Sequence, residues 1–253
     1  MGLRLLERST RRVRLTDAGM QLYNDCGEHL DALRDLILSA QSQGRSISGI
    51  LRLAAPYEFG AHHLSSIASR LMNKHPGLQV FLDVKYGPVD LYDTNYDIVF
   101  SMTDQDLPDS TTVMKRVIEL KRGVFASPEF LKKNEEPVTP DDLAKLPLLC
   151  SEGEKFWRFV STDGKHRAFD IEIDQHRLIS ANAAFRKQAA LDGVGAFRVT
   201  ATFCQNEIKS GQLKLLLPNY ECQPLKIFAL MPTRRLTLPR VRLFLNALDD
   251  VQV

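Results

Sequence analysis

Between Gly49 and Leu248, short apolar runs alternate with stretches whose apolar residues recur every three or four positions. That alternation implies an α/β fold. The run Ile50–Ala55 reads as a strand, Pro56–Gly60 as a turn, and Ala61–Lys74 as a helix with Leu64, Ile67, Leu71 and Met72 on one face. His75-Pro-Gly77 stops that helix, and Leu78–Val84 is the next strand. A strand–helix–strand unit of this kind implies parallel strands joined by a right-handed crossover. Asp97–Ser101 is a third strand, and about Thr112–Leu120 a fourth.

A second unit begins at Gly123 with the strand Val124–Ser127. Ser127-Pro128 and Thr139-Pro140 each place a capping hydroxyl before a proline, the signature of a helix start, and the helices end near Lys133 and Lys145. Leu148–Cys150 reads as a strand, Trp157–Asp174 as a hairpin turning at Thr162–Lys165, and Ala183–Leu191 as a helix capped by Asn182. The strand Gly195–Val199 and the helix Thr202–Ser210 follow. Lys226–Met231 is a strand that returns to the first unit, and Leu238–Leu248 is the closing helix. The expected architecture is two α/β lobes with a cleft between them, crossed by the chain near Leu120–Gly123 and Pro224–Lys226. Lobe I takes about 49–122 and 225–253, and lobe II about 123–224.

Residues 1–16 differ in character. Leu3–Glu7 and Val13–Leu15 read as two short strands around a basic turn, Arg8–Arg12. Five arginines and one acid give this segment a local charge of +4, against a formal +2 for the whole chain. A basic turn on a near-neutral body suits phosphate contact, although a short charge run is by default a solvated face. Thr16 is placed to cap a long helix, roughly Asp17–Gln43, with Met20, Tyr23, Leu30, Leu33, Ile37 and Ala40 near one stripe. The polar stretch Gln41–Ser48 reads as a hinge.

The sequence carries little sign of catalysis. Gly193-Val-Gly195 runs on as Ala-Phe-Arg198 without the third glycine of a nucleotide fingerprint. No G-x-S-x-G, H-E-x-x-H or P-loop motif occurs, and the neighbours His62 and His63 point in different directions on a helix and lack a third ligand. Cys26, Cys150, Cys204 and Cys222 lie far apart, which suits buried thiols rather than a zinc or redox motif. No cofactor or metal is expected. No run of about 18 apolar residues that would span a membrane is present, and the chain reads as cytoplasmic.

The run Leu5-Leu-Glu-Arg-Ser-Thr-Arg-Arg-Val-Arg-Leu-Thr-Asp-Ala-Gly19 resembles the wing and linker-helix start of the LysR-type transcriptional regulators. Ala126-Ser-Pro-Glu-Phe-Leu131, Asp192-Gly-Val-Gly195 and Ser210-Gly-Gln-Leu213 are similar to pieces of that family's regulatory domain. The resemblance implies a remnant of a winged helix-turn-helix at 1–16, with the recognition helix standing before it. It also implies a linker helix and hinge at 17–48 that pairs with a second subunit, and a periplasmic-binding-protein-like effector domain at 49–253. The partners implied are DNA, a second copy in a homodimer or homotetramer, and a small-molecule effector. Arg8, Arg11 and Arg12 would touch the DNA backbone.

Ligands of open α/β units sit beyond the carboxyl ends of strands. That rule selects Ala55, Pro56, Tyr57, Ser101, Met102, Thr103, Ser127, Ser151, Phe197 and Arg198 as the effector site, suited to a small carboxylate or similar polar molecule. Two features depart from the family pattern: bulky Tyr57 and Phe59 stand where small hydroxyl residues are frequent, and Arg198 interrupts a usually apolar strand. The function expected is a regulator that senses an effector between its lobes. A stand-alone solute-binding module without a DNA role is the alternative, and an enzyme on a similar two-lobed fold would need a convergent acid, base or nucleophile.

Overall fold

A computed structural model of the chain describes residues 3–8, 13–23, 26, 30, 33, 37, 47–86, 96–103, 113–165, 167–174, 176–231 and 238–249. At the N-terminal end, β1 (Leu6–Arg8) pairs antiparallel with β2 (Val13–Leu15), with Leu6 opposite Leu15. Thr16 then ties the pair to the helix. Its hydroxyl donates to the Arg4 carbonyl at 2.7 Å and accepts from the Gly19 amide at 3.0 Å. Gly19 has no alternative here, because a β-carbon would lie 2.0 Å from the Leu5 carbonyl oxygen. Residues 17–23, 26, 30, 33 and 37 are helical. Met20, Tyr23, Leu30, Leu33 and Ile37 are each 49–67% exposed. Residues 9–12, Ala40 and residues 41–46 of the expected hinge lie outside the described residues.

Two five-stranded sheets carry the rest. The first orders its strands β4-β3-β5-β15-β6, from β3 (Gly49–Pro56), β4 (Leu78–Lys85), β5 (Ile98–Thr103), β6 (Val113–Leu120) and β15 (Leu225–Met231). β3 is parallel to β4 and β5, whereas β15 runs antiparallel between β5 and β6. The second sheet orders β11-β8-β12-β7-β13, from β7 (Arg122–Ala126), β8 (Leu148–Cys150), β11 (His176–Ile179), β12 (Ala196–Thr200) and β13 (Lys214–Leu216). A three-stranded antiparallel sheet, β10 (Ala168–Glu172), β9 (Phe156–Ser161) and β14 (Tyr220–Cys222), packs on it. The chain passes between the two large sheets twice, at Lys121 and between Cys222 and Leu225.

Alternation of side chains sets the cores. In the second sheet Val124, Ala126, Leu148, Cys150 and Ala196 join Trp157 and Phe159 on one face. Phe125, Leu149, Phe197 and Val199 join Phe203 on the other. The first sheet buries Leu51, Leu53, Phe100, Ile227 and Ala229 against the helices Ser65–Lys74 and Pro239–Asp249. One buried charge fastens this lobe. Asp97, 1% exposed, accepts from the Arg52 amide at 2.9 Å and faces Arg240 of the closing helix at 3.6 Å.

Three features differ from the sequence reading. Tyr57–Phe59 is already helical and continues through a π-turn, Gly60–Leu64, into Ser65–Lys74. Gly60 serves close packing rather than a turn, since a β-carbon there would meet Val84 and Ala55 at 3.3 and 3.4 Å. The strands β11, β13 and β14 were not legible, because three or four residues are too few to show alternation. Cys150, Cys204 and Cys222 are buried and Cys26 is exposed, which agrees with the expectation that most of the cysteines are buried.

Replacing Asp97 by alanine removes the acceptor of the Arg52 amide and the charge facing Arg240, and should cost about 3–5 kcal/mol, as breaking a buried pair does. Equilibrium urea unfolding of the two proteins measures it, and a change under about 1 kcal/mol would contradict this role for the pair.

Candidate functional site

A cleft of about 1020 Å³ opens where the two large sheets face each other. Pro56, Tyr57, Ser101, Met102, Thr103, Ser151 and Arg198 line it. All but Arg198 sit at or just beyond strand ends: Pro56 closes β3, Thr103 closes β5 and Ser151 follows β8. Three other residues of the strand-end set lie elsewhere. Ala55 is fully buried in the first lobe's core. The Ser127 hydroxyl accepts from the Phe130 amide at 3.3 Å as a helix cap. Phe197 packs against Phe125 on the far face of its sheet. Adjacent residues of a strand face opposite ways, so Phe197 and Arg198 do not both reach the cleft. Phe59 is core too, stacked on His63.

The sequence reading missed the charged floor. Glu58, Arg122, Glu154 and Arg186 all line the cleft beside Arg198. Arg198 is 3% exposed at its side chain and lies over the Trp157 ring at 5.2 Å. It donates to Glu154 Oε1 at 2.6 Å, while Glu154 Oε2 accepts from the Ser151 amide at 2.7 Å. Arg186, 5% exposed, reaches Glu58 across the lobes at 3.5 Å and donates to the Ser180 carbonyl. Arg122 Nε donates to the Gln223 carbonyl at 2.6 Å, joining the two crossings. Nε of Arg186, Nε of Arg198 and Oε2 of Glu58 are buried without a hydrogen-bond partner among the described residues. The visible signal was an arginine four residues after the cap Asn182 and carboxylates beside strand ends, but nothing in the sequence pairs them.

Electrostatics distinguishes the two carboxylates. Burial pushes the Glu58 carboxyl up, against the pull of Arg186. Burial acts the same way on Glu154, but Arg198 and the Ser151 amide outweigh it and hold that carboxyl below its ordinary range. The lining carries six basic and four acidic side chains, so the cleft is positive on balance. Burial likewise pushes the Cys150 thiol up to about 12, which leaves it inert.

The lobes also touch beside the cleft. Tyr57 meets Phe203 edge-on at 6.0 Å, His62 meets the same ring at 4.7 Å, and His63 Nε2 lies 3.4 Å from the Thr202 hydroxyl. Burial lowers both histidines, so they are neutral packing groups near pH 7. Among the described residues no group of three or more His, Cys, Asp or Glu side chains is placed to hold a metal. No helix among them is long and apolar enough to cross a membrane.

Comparison with known proteins bears on this arrangement. Residues 44–252 match the LysR substrate binding domain family. An uncharacterised HTH-type transcriptional regulator of Escherichia coli K12, YhjC, is 28% identical over 260 residues, covering 99% of this chain and 84% of that protein. The E. coli HTH-type transcriptional activator AaeR is 26% identical over 251 residues, covering 98% of the chain and 79% of its own length. Among solved structures, the full-length Vibrio cholerae virulence activator AphB superposes with a TM-score of 0.71 at 23% identity, covering 99% of this chain and 85% of that one. CrgA of Neisseria meningitidis gives 0.68 at 22%, covering 98% and 84%. These two likenesses show the fold, the periplasmic-binding-protein-like one.

The opposed shifts of the two glutamates predict opposed pH behaviour. Glu154 stabilises the fold above the ordinary carboxylate range, and that stability fades as pH falls through its depressed folded value. Glu154→Gln should therefore lower Tm at pH 7, with the difference closing on acidification. Glu58 favours the fold while protonated and loses that advantage as pH rises, so Glu58→Gln should gain on the parent chain with rising pH. Thermal melts from about pH 4 to 8 decide both; parallel curves for parent and variants would remove the electrostatic account.

Proposed function

We infer the function of this chain from the family to which it belongs, the LysR-type transcriptional regulators, through a substrate binding domain spanning residues 44–252. It is a transcriptional regulator with an effector-binding domain. What we propose is how that domain works here. The cleft takes a small anionic effector, a carboxylate or a molecule of similar polarity, and its occupancy sets the affinity for DNA. The observation that carries this reading is the cleft's buried arginines, two of which keep an unused Nε donor. A structural ion-pair network would be expected to satisfy such donors. We assign ligand contact to Pro56, Tyr57, Ser101, Met102, Thr103, Ser151 and Arg198, and add Arg122 and Arg186. The reading is of a binder and not a catalyst, since the relatives are regulators.

DNA contact belongs to the other end. Arg8 closes β1, and Arg11 and Arg12 lie outside the described residues. We propose all three as backbone contacts, acting in the cytoplasm where the target lies. The exposed stripe from Met20 to Ile37 is the proposed contact between two copies, because an apolar helix face in water needs a partner.

Two experiments test this. Nitrocellulose-filter binding of the 253-residue chain, and of the same chain extended upstream, is measured across a salt series. Three phosphate contacts limit the log–log slope of the shorter chain to about −3, and replacing Arg8, Arg11 and Arg12 by alanine should flatten it. An unchanged slope would remove these arginines from the interface. Separately, Leu30→Glu with Leu33→Glu should reduce the mass seen by light scattering toward the monomer, and an unaltered mass would place the subunit contact elsewhere.

A further inference from the structure

We propose that Glu154 is a built-in stand-in for the effector's carboxylate: in the ligand-free domain it occupies the two donors that an incoming anion takes, and the effector binds by displacing it. The proposal rests on reading the cleft as an anion site and adds the class of ligand and the way the site is held closed to others.

The geometry points this way on three counts. First, Glu154 makes the contacts a bound carboxylate would make. One oxygen takes a guanidinium N–H of Arg198 at 2.6 Å, and the other takes the free amide of Ser151, the first residue past β8, at 2.7 Å. Strand-end amides and a buried arginine are the donors an α/β cleft offers to an anionic ligand. Second, the donor Arg198 is buried deeper than the acceptor. Arg198 is 3% exposed, rooted in β12 and stacked over Trp157. Glu154 is 19% exposed at its side chain and stands in a loop of which Glu152, Gly153 and Lys155 are exposed, with nothing within 4 Å of a β-carbon on Gly153. The Glu154 side chain can turn away into the cleft while the backbone of its loop stays bonded, Glu154 N–H to the Ser151 carbonyl and Ile173 N–H to the Lys155 carbonyl. Third, the donors exceed what Glu154 uses. Arg198 Nε and Arg186 Nε are buried and unbonded, so a ligand carboxylate that replaces Glu154 finds donors left over. Two guanidinium groups suit a planar carboxylate better than a single oxygen anion, because their N–H pairs match its two oxygens.

Displacement makes the site selective. A neutral molecule cannot compensate Arg198 once Glu154 has left, so it faces the full cost of an uncompensated buried charge. A carboxylate restores the pairing, and Glu154 regains its hydration outside. The exchange also changes the charge paired with Arg198, whose guanidinium lies over the Trp157 ring at 5.2 Å. Trp157 is the one tryptophan of the chain and reports on the event directly.

The test uses the full chain, with sodium benzoate as the carboxylate probe and benzamide as its neutral isostere. Binding is followed by calorimetry and by tryptophan emission. Glu154→Gln keeps the shape and removes the competing charge, so benzoate should bind about tenfold more tightly, as when a competent state rises from a tenth of the population to nearly all. Benzamide should bind neither protein, and benzoate should shift the Trp157 emission of the parent chain. Should the glutamine variant fail to fold, Glu154→Asp keeps the charge but not the reach to both donors, and it should also bind benzoate more tightly than the parent. Equal benzoate affinity in parent and variants overturns the stand-in and leaves the cleft as an anion site. Binding of benzamide as tight as benzoate, or of neither molecule to any of the proteins, overturns the anion site itself and the stand-in with it.

Discussion

The structure depends on a constraint of connectivity: the chain crosses between its two large sheets twice, and the crossings are held together. Lys121 is the single residue between β6 of the first sheet and β7 of the second, and Gln223 and Pro224 lead back from β14 to β15. Arg122 donates to the Gln223 carbonyl across the gap. Two short crossings side by side are the kind of connection about which hinged domains close. The cleft lies in front of them, so the residues on its two walls are brought face to face by topology before any ligand arrives. Arg122 belongs to both the crossing and the cleft lining, which places a charged group where the lobes join.

That connectivity was legible in the sequence because the strands at the centre of each sheet are continuous apolar runs. Leu51, Leu53 and Phe100 in one lobe, and Phe125, Leu149 and Phe197 in the other, are buried on faces set by a two-residue period. The strand-end rule then reached Pro56, Tyr57, Ser101, Met102, Thr103 and Ser151 without any coordinates. It erred where position along a strand was taken for orientation across it: Phe197 and Ala55 are adjacent to cleft residues but point into cores. Ser127 is diverted for a different reason, since its hydroxyl satisfies an orphan amide of the helix it caps.

What the sequence could not show was pairing. Arg198 and Glu154 are 44 residues apart, and Arg186 and Glu58 stand on opposite lobes. Ion pairs of this kind leave no periodicity: Arg198 stands out as a charge in an apolar strand, but nothing local names Glu154 as its partner. The burial of Arg198 and Glu154 is decided by packing within the second lobe, on Trp157, and the Arg186–Glu58 pairing by the meeting of the two lobes; both are tertiary outcomes with no local signature.

The charged floor is also poor economy as a device for stability. Desolvating several ions is seldom repaid by their mutual attraction, and hydrophobic residues of like volume hold a core as well or better. Here the cluster keeps unbonded donors and leaves one glutamate shifted upward by burial. On the reading proposed above, such an arrangement serves to discriminate among molecules entering the cleft rather than to stabilise the fold. The same helix start that lines the cleft, Tyr57 and Glu58, makes the lobe-to-lobe contacts with Phe203 and Arg186. A ligand that repairs the charge balance therefore bears on the relative placement of the lobes at once. It can shift that placement only by the difference between its affinities for the two arrangements, and the Arg198 pairing is where such a difference has room to arise.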